Sequence, residues 1–132
     1  MRPSTRIPRA VAVIGGIGFV ALGLWAMIAP RSFFEALATF EPYNQHFLQD
    51  IGAFQIGLGA VLLLAGMPVR ADAMTVALVG VGVGAALHAV SHVVGQDLGG
   101  APEREIPAFA VMAVLLLAAG GFRWRHVRGS TG

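Results

Sequence analysis

The chain of 132 residues contains no cysteine, and it contains no lysine because all nine basic residues are arginine. Without cysteine it forms no disulfide, thiolate metal site, iron–sulfur cluster or cysteine nucleophile. Charge is scarce as well: 12% of the residues are charged and 56% are hydrophobic, whereas soluble domains carry about 25% charged residues. So few charges cannot cover a water-facing surface, and so hydrophobic a chain does not stay disordered. The composition therefore excludes an ordinary soluble domain.

Four segments are apolar and long enough to cross a membrane, since a helix of about 20 residues spans the roughly 30 Å hydrocarbon layer. They cover about residues 10–29, 47–67, 73–95 and 106–122. Almost nothing is left for a soluble domain. A tight turn joins the second span to the third, and Asp72 in this turn is placed to cap the third helix. We therefore predict an all-α fold: one membrane domain over residues 1–132, an antiparallel bundle of four transmembrane helices with the lipid bilayer as its surroundings.

The arginines predict the orientation, because short loops rich in arginine stay in the cytoplasm. One side of the membrane would hold Arg2, Arg6, Arg9, Arg70, Arg123, Arg125 and Arg128. The other side would hold only Arg31 and Arg104. Both termini are therefore predicted to be cytoplasmic, in the cell (inner or plasma) membrane. The arginines of the C-terminal tail are expected to meet anionic lipid headgroups rather than nucleic acid.

A short interfacial helix is predicted in the first extracytoplasmic loop, over about residues 32–41. Ser32 and Glu35 have the spacing of a capping box, in which each side chain accepts a hydrogen bond from the other residue's backbone N–H. Phe33, Leu37 and Phe40 follow at helical spacing, which suits a helix lying with its apolar side toward the membrane. Such a helix would either cover the mouth of the bundle or gate access to it.

Ionisable side chains inside a membrane span mark a functional site by default. His46 and Asp50 stand four residues apart at the start of the second span, and His88 and His92 stand four apart near the end of the third. Residues four apart share one face of a helix. Because the second and third spans run in opposite directions, both pairs are expected at the same, extracytoplasmic end.

Small residues extend both faces toward the membrane centre, with Ala53 and Gly57 on the second span and Gly80 and Gly84 on the third. Small residues at this spacing let membrane helices approach closely. We therefore predict that the two faces pack against each other and that the polar pairs converge in a pocket. Four residues off the main faces are candidates to add hydrogen bonds there: Gln49, Gln55, Ser91 and Gln96.

Three interpretations of the cluster stay open: a metal or haem site, a metal-free site for protons or a polar headgroup, and a purely structural contact. As a metal site it would supply three imidazoles and one carboxylate, from His46, Asp50, His88 and His92, which suits zinc, copper(II), iron or manganese. Two of the histidines would instead hold haem if they lay on opposite sides of the macrocycle. Without a metal, the same groups would relay protons or bind a polar headgroup. In the third interpretation, Asp50 bonds a histidine only to hold the helices together.

The order of the motifs carries a resemblance. The first span ends in Gly23-Leu-Trp-Ala-Met-Ile-Ala-Pro30, and the second opens with Asp50-Ile-Gly-Ala-Phe-Gln-Ile-Gly-Leu-Gly59; Leu87-His-Ala-Val-Ser-His92 and Gln96-Asp-Leu-Gly-Gly100 follow. This layout resembles, over nearly the whole chain, the small four-helix membrane proteins grouped as DoxX-like, which include actinobacterial members. The resemblance implies an accessory role in a membrane oxidoreductase system, linked to quinones or to redox and assembly partners. A thiol-redox role is not carried over, because the chain lacks cysteine.

Three functions follow from these features. The first is a metal- or haem-binding module. The second is an accessory or assembly subunit of a membrane redox or transport complex, which associates through glycine-rich faces as an oligomer and whose cluster binds a quinone or lipid headgroup or is purely structural. The third is an enzyme acting on a lipid or quinone, which only the cluster supports. We adopt the metal or haem module as the working hypothesis.

Overall fold

The structure, a computed structural model, describes residues 6–39 and 41–129. Within these residues the chain forms the helices α1 (Arg6–Ile28), α2 (Pro30–Ala36), α3 (Gln45–Gly66), α4 (Ala73–Val94) and α5 (Pro102–Gly129), with a short 3₁₀ turn at Gln96–Leu98. Helices α1, α3, α4 and α5 are long and apolar enough to cross a membrane. The predicted all-α fold with four spanning helices is confirmed.

The spanning helices pack in chain order: α1 lies against α3, α3 against α4, and α4 against α5. Among the described residues, α1 and α5 share no extensive contact. Helices α3 and α4 are therefore central, with 39% and 33% of their most apolar stretches buried, against 17% in α1 and 11% in α5. The central pair carries the predicted polar cluster, and the outer helices leave most of their apolar surface for lipid.

The two small-residue faces of α3 and α4 meet as predicted. A Cβ atom added to Gly57 would lie 2.9 Å from the Cα of Gly84 and 3.2 Å from the carbonyl oxygen of Gly80. A Cβ added to Gly84 would lie 3.6 Å from the carbonyl oxygen of Ala53. The two backbones are in direct contact, so the rotation of each helix is fixed and the polar residues of both point to the same end.

Glycines also form the contact between α1 and α3, which the sequence analysis did not anticipate. A Cβ on Gly23 would lie 2.6 Å from the carbonyl oxygen of Gly52, and a Cβ on Gly52 would lie 2.6 Å from that of Gly23. These glycine faces therefore pack two helices of the same chain against each other. Gly18 and Gly121 differ, since a Cβ at either position meets nothing within 4 Å.

Asp72 caps α4, as the sequence predicts, and also ties it to α5. Its Oδ1 accepts hydrogen bonds from the backbone N–H of Thr75 at 3.0 Å and from the Thr75 hydroxyl at 2.7 Å. Its Oδ2 accepts from Nη2 and Nε of Arg123 at 2.7 and 2.9 Å. The hydrogen bond from Arg123, followed by those from Thr75, holds the pKa of Asp72 well below its usual range. The turn that pairs α3 with α4 thus also fixes the end of α5.

Helix α5 is longer than the predicted fourth span, because it begins at Pro102 and continues to Gly129 instead of ending near Phe122. Glu103 and Glu105 lie in its first turn and His126 and Arg128 in its last turn. Acidic groups at the start and basic groups at the end of a helix are favoured by the helix dipole. The polar segments flanking the apolar span therefore extend the helix at both ends.

Helix α2 differs from the predicted interfacial helix over residues 32–41. It begins at Pro30 and ends at Ala36, with no side chain capping its first turn. The predicted capping box is wrong, because the Ser32 hydroxyl accepts a hydrogen bond from Nε1 of Trp25 at 3.2 Å and Glu35 bonds Nε of Arg31 at 2.7 Å. Proline is favoured in the first helical turn, where its missing N–H costs nothing.

The apolar side of α2 packs against the neighbouring helices. Phe33 and Phe34 are buried in a cluster with Ala26 of α1 and Leu48 of α3. Leu37, which follows the helix, is 55% exposed. Phe40 lies outside the described residues. The helix therefore covers one end of the α1–α3 pair with its two phenylalanines.

Candidate metal centre

The structure brings all four predicted site residues together at one end of the molecule, which we call the histidine end. His46 and Asp50 lie in the first two turns of α3, and His88 and His92 lie in the last two turns of α4. The rings of His46 and His92 are 4.5 Å apart between centroids, and those of His88 and His92 are 4.9 Å apart. The antiparallel packing of α3 and α4 through their glycines is what aligns these turns.

Asp50 is at the centre of the cluster. Its Oδ1 accepts a hydrogen bond of 2.6 Å from the hydroxyl of Ser91, which is 2% exposed. Nε2 of His88 lies 3.4 Å from the same Oδ1. Nε2 of His46 lies 3.7 Å from the other oxygen, Oδ2. One carboxylate oxygen is thus held by α4, while the other faces His46. Of the residues predicted to add hydrogen bonds to the cluster, Ser91 does so, whereas Gln49 donates to the carbonyl oxygen of Met27 and Gln96 to that of Val93.

Glu105 joins the site, although the sequence analysis did not identify it as a site residue. Its Oε2 lies 3.2 Å from Nδ1 of His92 and accepts the backbone N–H of Ala101 at 3.0 Å. The sequence feature that could have indicated this role is the position of Glu105, in the first turn of the helix that follows the short loop after His92. No spacing rule links the two residues, because the loop and not a helix face brings them together.

His88 is packed among aromatic rings rather than exposed to an ion. Its ring stacks on Phe109 of α5 and on His92, with centroids 3.9 and 4.9 Å apart, and the ring of Phe54 packs against it edge to face with centroids 5.1 Å apart. Its Nε2 points at Asp50. The structure therefore places His88 beside the carboxylate that it helps to position.

The close packing of the rings does not fit haem. A bis-histidine haem has its macrocycle between the two imidazoles. The ring of His92 lies directly beside those of His46 and His88, with centroids 4.5 and 4.9 Å apart. No space for a macrocycle lies between them, so the geometry favours a single ion.

Three groups are arranged as a ligand set for an ion. One ligand atom from each of His46, Asp50 and His92 lies within 4.8 Å of the others. Two atoms bound at about 2.1 Å to a tetrahedral ion are roughly 3.4 Å apart, so small side-chain rotations bring the set to coordination distance. Imidazole and carboxylate donors without a thiolate suit zinc, copper(II), iron or manganese.

His46 is held by close contact with the loop after α4. Its Nδ1 is buried without a hydrogen-bond partner. A Cβ on Gly95, the residue that ends α4, would lie 2.9 Å from this nitrogen. Only glycine therefore lets the loop pass so close to the imidazole, and Nε2 is the ring nitrogen left facing the cluster.

An apolar groove adjoins the cluster on the side of α5. It has a volume of about 170 Å³, and His88 and Phe109 are among the residues that line it. Phe54, Leu58 and Val81 form its edges and are each more than half exposed. The groove thus opens at the outer surface of the helices, in the part of the chain that hydrocarbon would surround.

The fold and this site define a class: a helical, multi-pass membrane protein with a histidine–carboxylate cluster at one end of its central helix pair. Comparison of the chain with protein-family models, with curated proteins and with solved structures finds no match.

Proposed function

We propose that the protein binds a divalent transition-metal ion at the histidine end, with His46, Asp50 and His92 as ligands. The observation that carries the proposal is the separation of 3.7 Å between Nε2 of His46 and Oδ2 of Asp50. This distance is too long for a hydrogen bond. It is close to the roughly 3.4 Å between two ligands of a tetrahedral ion. His92 supplies the third ligand from the facing helix.

The charges around the site support a dication. Asp50 and Glu105 carry two negative charges when ionised, and the histidines bind metals as neutral imidazoles. A bound ion of charge +2 would leave the centre neutral overall. Neutrality matters here, because an unbalanced charge is costly in a low-dielectric membrane protein. The side chain of Glu105 is 37% exposed, which gives the centre an edge toward solvent.

The surrounding side chains match the usual support of a metal centre. Metal-binding histidines commonly donate their second ring N–H to a carboxylate, which fixes the ring and its tautomer. Glu105 stands in this position beside Nδ1 of His92, leaving Nε2 for the ion. Oδ1 of Asp50 accepts the hydrogen bond from the Ser91 hydroxyl and has Nε2 of His88 3.4 Å away. We therefore assign His88 and Glu105 to positioning the ligands.

With both termini in the cytoplasm of a cell-membrane protein, as the arginines predict, the histidine end would face the extracytoplasmic side. A small module with one metal site there would serve either alone or as an accessory subunit of a larger complex. The DoxX-like relationship stays a prediction from the sequence motifs.

The test is Zn²⁺ and Co²⁺ binding to the purified full-length protein, measured by equilibrium dialysis and metal analysis. We expect one ion per chain. We expect His46→Ala to lower the affinity by more than about 100-fold, because changes even in supporting groups cost 10–100-fold.

The matched control is His126→Ala, which removes the exposed histidine in the last turn of α5. Its affinity for both ions should equal that of the unchanged protein. Equal losses in the two variants, or no stoichiometric binding by the unchanged protein, would show that these ions do not occupy the centre.

The apolar groove favours a second candidate function, the binding of a lipid-soluble molecule, such as a quinone or a lipid, with a polar group near His88. A dry apolar cavity of about 150 Å³ accommodates a benzene-sized molecule. The groove, of about 170 Å³, is of that size, and the imidazole of His88 is the one polar side chain among the residues that line it. In this function the cluster would hold the polar head while the groove holds the first part of the apolar chain.

Val81→Trp tests this candidate by filling the groove from its exposed edge. We expect the variant to lose a lipid-soluble compound that the unchanged protein retains through purification, as identified by mass spectrometry of an organic extract. Val111→Trp is the control, since Val111 is equally exposed on α5 but does not line the groove. Identical extracts from all three proteins would rule the candidate out, whatever the result of the metal measurements.

A further inference from the structure

The two oxygens of the Asp50 carboxylate have different surroundings, and the difference bears on the kind of ion that the histidine end would take. Oδ1 accepts a hydrogen bond of 2.6 Å from the Ser91 hydroxyl and has Nε2 of His88 3.4 Å away. Each oxygen of a carboxylate offers about two lone-pair directions. Two polar neighbours on α4 therefore already surround Oδ1, whereas Oδ2 has Nε2 of His46 at 3.7 Å.

Ser91 is fixed in a position that keeps Oδ1 engaged. It is buried in α4, one residue before His92. Its hydroxyl oxygen also lies 2.8 Å from the carbonyl oxygen of His88, one turn earlier in the same helix. The hydroxyl has a single hydrogen, and a hydrogen bond to a charged acceptor is roughly twice as strong as one to a neutral acceptor. Ser91 therefore donates to the ionised Asp50 and leaves Oδ2 as the oxygen available to an ion.

Few further ligands are within reach of an ion at this position. Among the described residues, His46, Asp50 and His92 form the group whose ligand atoms lie within 4.8 Å of one another. Their side chains are 16%, 19% and 7% exposed, so little water reaches the space between them. The rings of His88 and Phe109 lie against His92 as well, with centroids 4.9 and 5.3 Å away. The group thus supplies three ligand atoms, which nearly complete a tetrahedral set but only half of an octahedral one.

We propose that the centre selects ions that take four ligands in a tetrahedron, such as Zn²⁺, over ions that require six ligands or a square plane. Asp50 binds through Oδ2 alone, and Ser91 is the positioning residue that keeps Oδ1 from the ion. Zinc sites with three protein ligands complete their tetrahedron with one water. The inference rests on the proposed function, because it specifies which ion the same three ligands would hold.

The order of two affinities distinguishes this geometry from a site without a geometric preference. Nitrogen and oxygen ligands generally bind Ni²⁺ more tightly than Co²⁺, and Ni²⁺ suits square-planar or tetragonal sites. A site limited to three protein ligands in a tetrahedral arrangement would reverse this order, because Ni²⁺ would have to recruit several water molecules into a buried space. The reversal could not arise from charge, since both ions carry the same charge.

The test compares the dissociation constants of Zn²⁺, Co²⁺ and Ni²⁺ for the purified full-length protein, measured by equilibrium dialysis, and records the visible absorption of the Co²⁺ form. We expect Co²⁺ to bind about tenfold more tightly than Ni²⁺, against the usual order, and to show the intense absorption of tetrahedral cobalt. Binding of Ni²⁺ as tight as that of Co²⁺ or tighter, or the weak absorption of octahedral cobalt, overturns the inference, while one bound ion per chain would still support the proposed function. Failure of all three ions to bind overturns both.

Ser91→Ala tests the positioning residue. Without the hydroxyl, Oδ1 is free to become a second carboxylate ligand, so we expect the preference for Co²⁺ over Ni²⁺ to fall about tenfold, the scale of effects from supporting groups, and the Co²⁺ absorption to weaken. A loss of packing alone would lower both affinities equally, and an unchanged ratio would therefore contradict the role of Ser91. Ser32→Ala is the matched control, because it removes a hydroxyl that bonds Trp25 at the same end of the molecule, and it should leave the ratio and the absorption unchanged.

Discussion

Replacing Gly57 with valine is expected to force α3 away from α4 and, as a consequence, to abolish metal binding at the histidine end. A Cβ at this position would lie 2.9 Å from the Cα of Gly84, and that atom belongs to the backbone, so no side-chain rotation relieves the contact. Overpacking of a close contact costs about 1–3 kcal/mol. A separation of even 1 Å would also move His92 out of reach of His46 and Asp50.

The measurement combines thermal unfolding in detergent with Zn²⁺ binding by equilibrium dialysis. Gly18→Val is the matched control, because a Cβ on Gly18 meets nothing within 4 Å. The control should unfold and bind Zn²⁺ as the unchanged protein does. If Gly57→Val bound Zn²⁺ with undiminished affinity, the contact between the two glycine faces would not be what assembles the centre.

Asp50→Asn is expected to reduce Zn²⁺ affinity by more than about 100-fold while the helices stay folded. Asparagine has the shape of aspartate and still accepts the hydrogen bond from the Ser91 hydroxyl. It lacks the negative charge that the ion requires, and an amide oxygen is a weaker ligand for zinc than a carboxylate. The variant therefore separates the chemistry of Asp50 from its packing.

Asp97→Asn provides the control for this prediction. Asp97 is an exposed carboxylate in the 3₁₀ turn at the same end of the molecule, so its loss changes the net charge equally. Its Zn²⁺ affinity should stay within about twofold of the unchanged protein, as expected for an exposed charge screened by salt. Equal affinities in Asp50→Asn and Asp97→Asn would exclude Asp50 as a ligand.

Part of the centre was predictable because its geometry is local. His46 and Asp50 share a face of α3 by spacing alone, and His88 and His92 share a face of α4 for the same reason. The small residues on each face predicted that the faces meet. The convergence of the two pairs at one end then needed only the direction of the two helices, which the tight turn gives.

Glu105 and the position of His88 were not predictable in this way. Glu105 reaches His92 because the loop after α4 folds back and because Glu105 also bonds the N–H of Ala101. His88 is turned toward Asp50 by stacking on Phe109, a residue of a different helix. Both depend on how α5 packs against α4, and no periodic pattern along the chain encodes that packing.

The short helix α2 likewise shows a local sequence pattern that the contacts of the folded chain override. Ser32 and Glu35 have the sequence of a capping box, yet Ser32 bonds Trp25 and Glu35 bonds Arg31. Pro30 fixes the start of the helix before Ser32, which moves both residues out of the capping positions. The burial of Phe33 and Phe34 against α1 and α3 then holds the helix in place.

The sequence by itself determined the four membrane spans, the cap at Asp72 and the helix faces that carry the polar pairs. These properties depend on hydrophobicity summed over a span and on residues a few positions apart, and local physical chemistry fixes both. Only the tertiary structure decided which groups the cluster brings within reach of one another, which rings and carboxylates lie beside each histidine, and where a groove forms beside His88. Those outcomes depend on contacts between helices distant in the chain, so they exist only once the packing is complete.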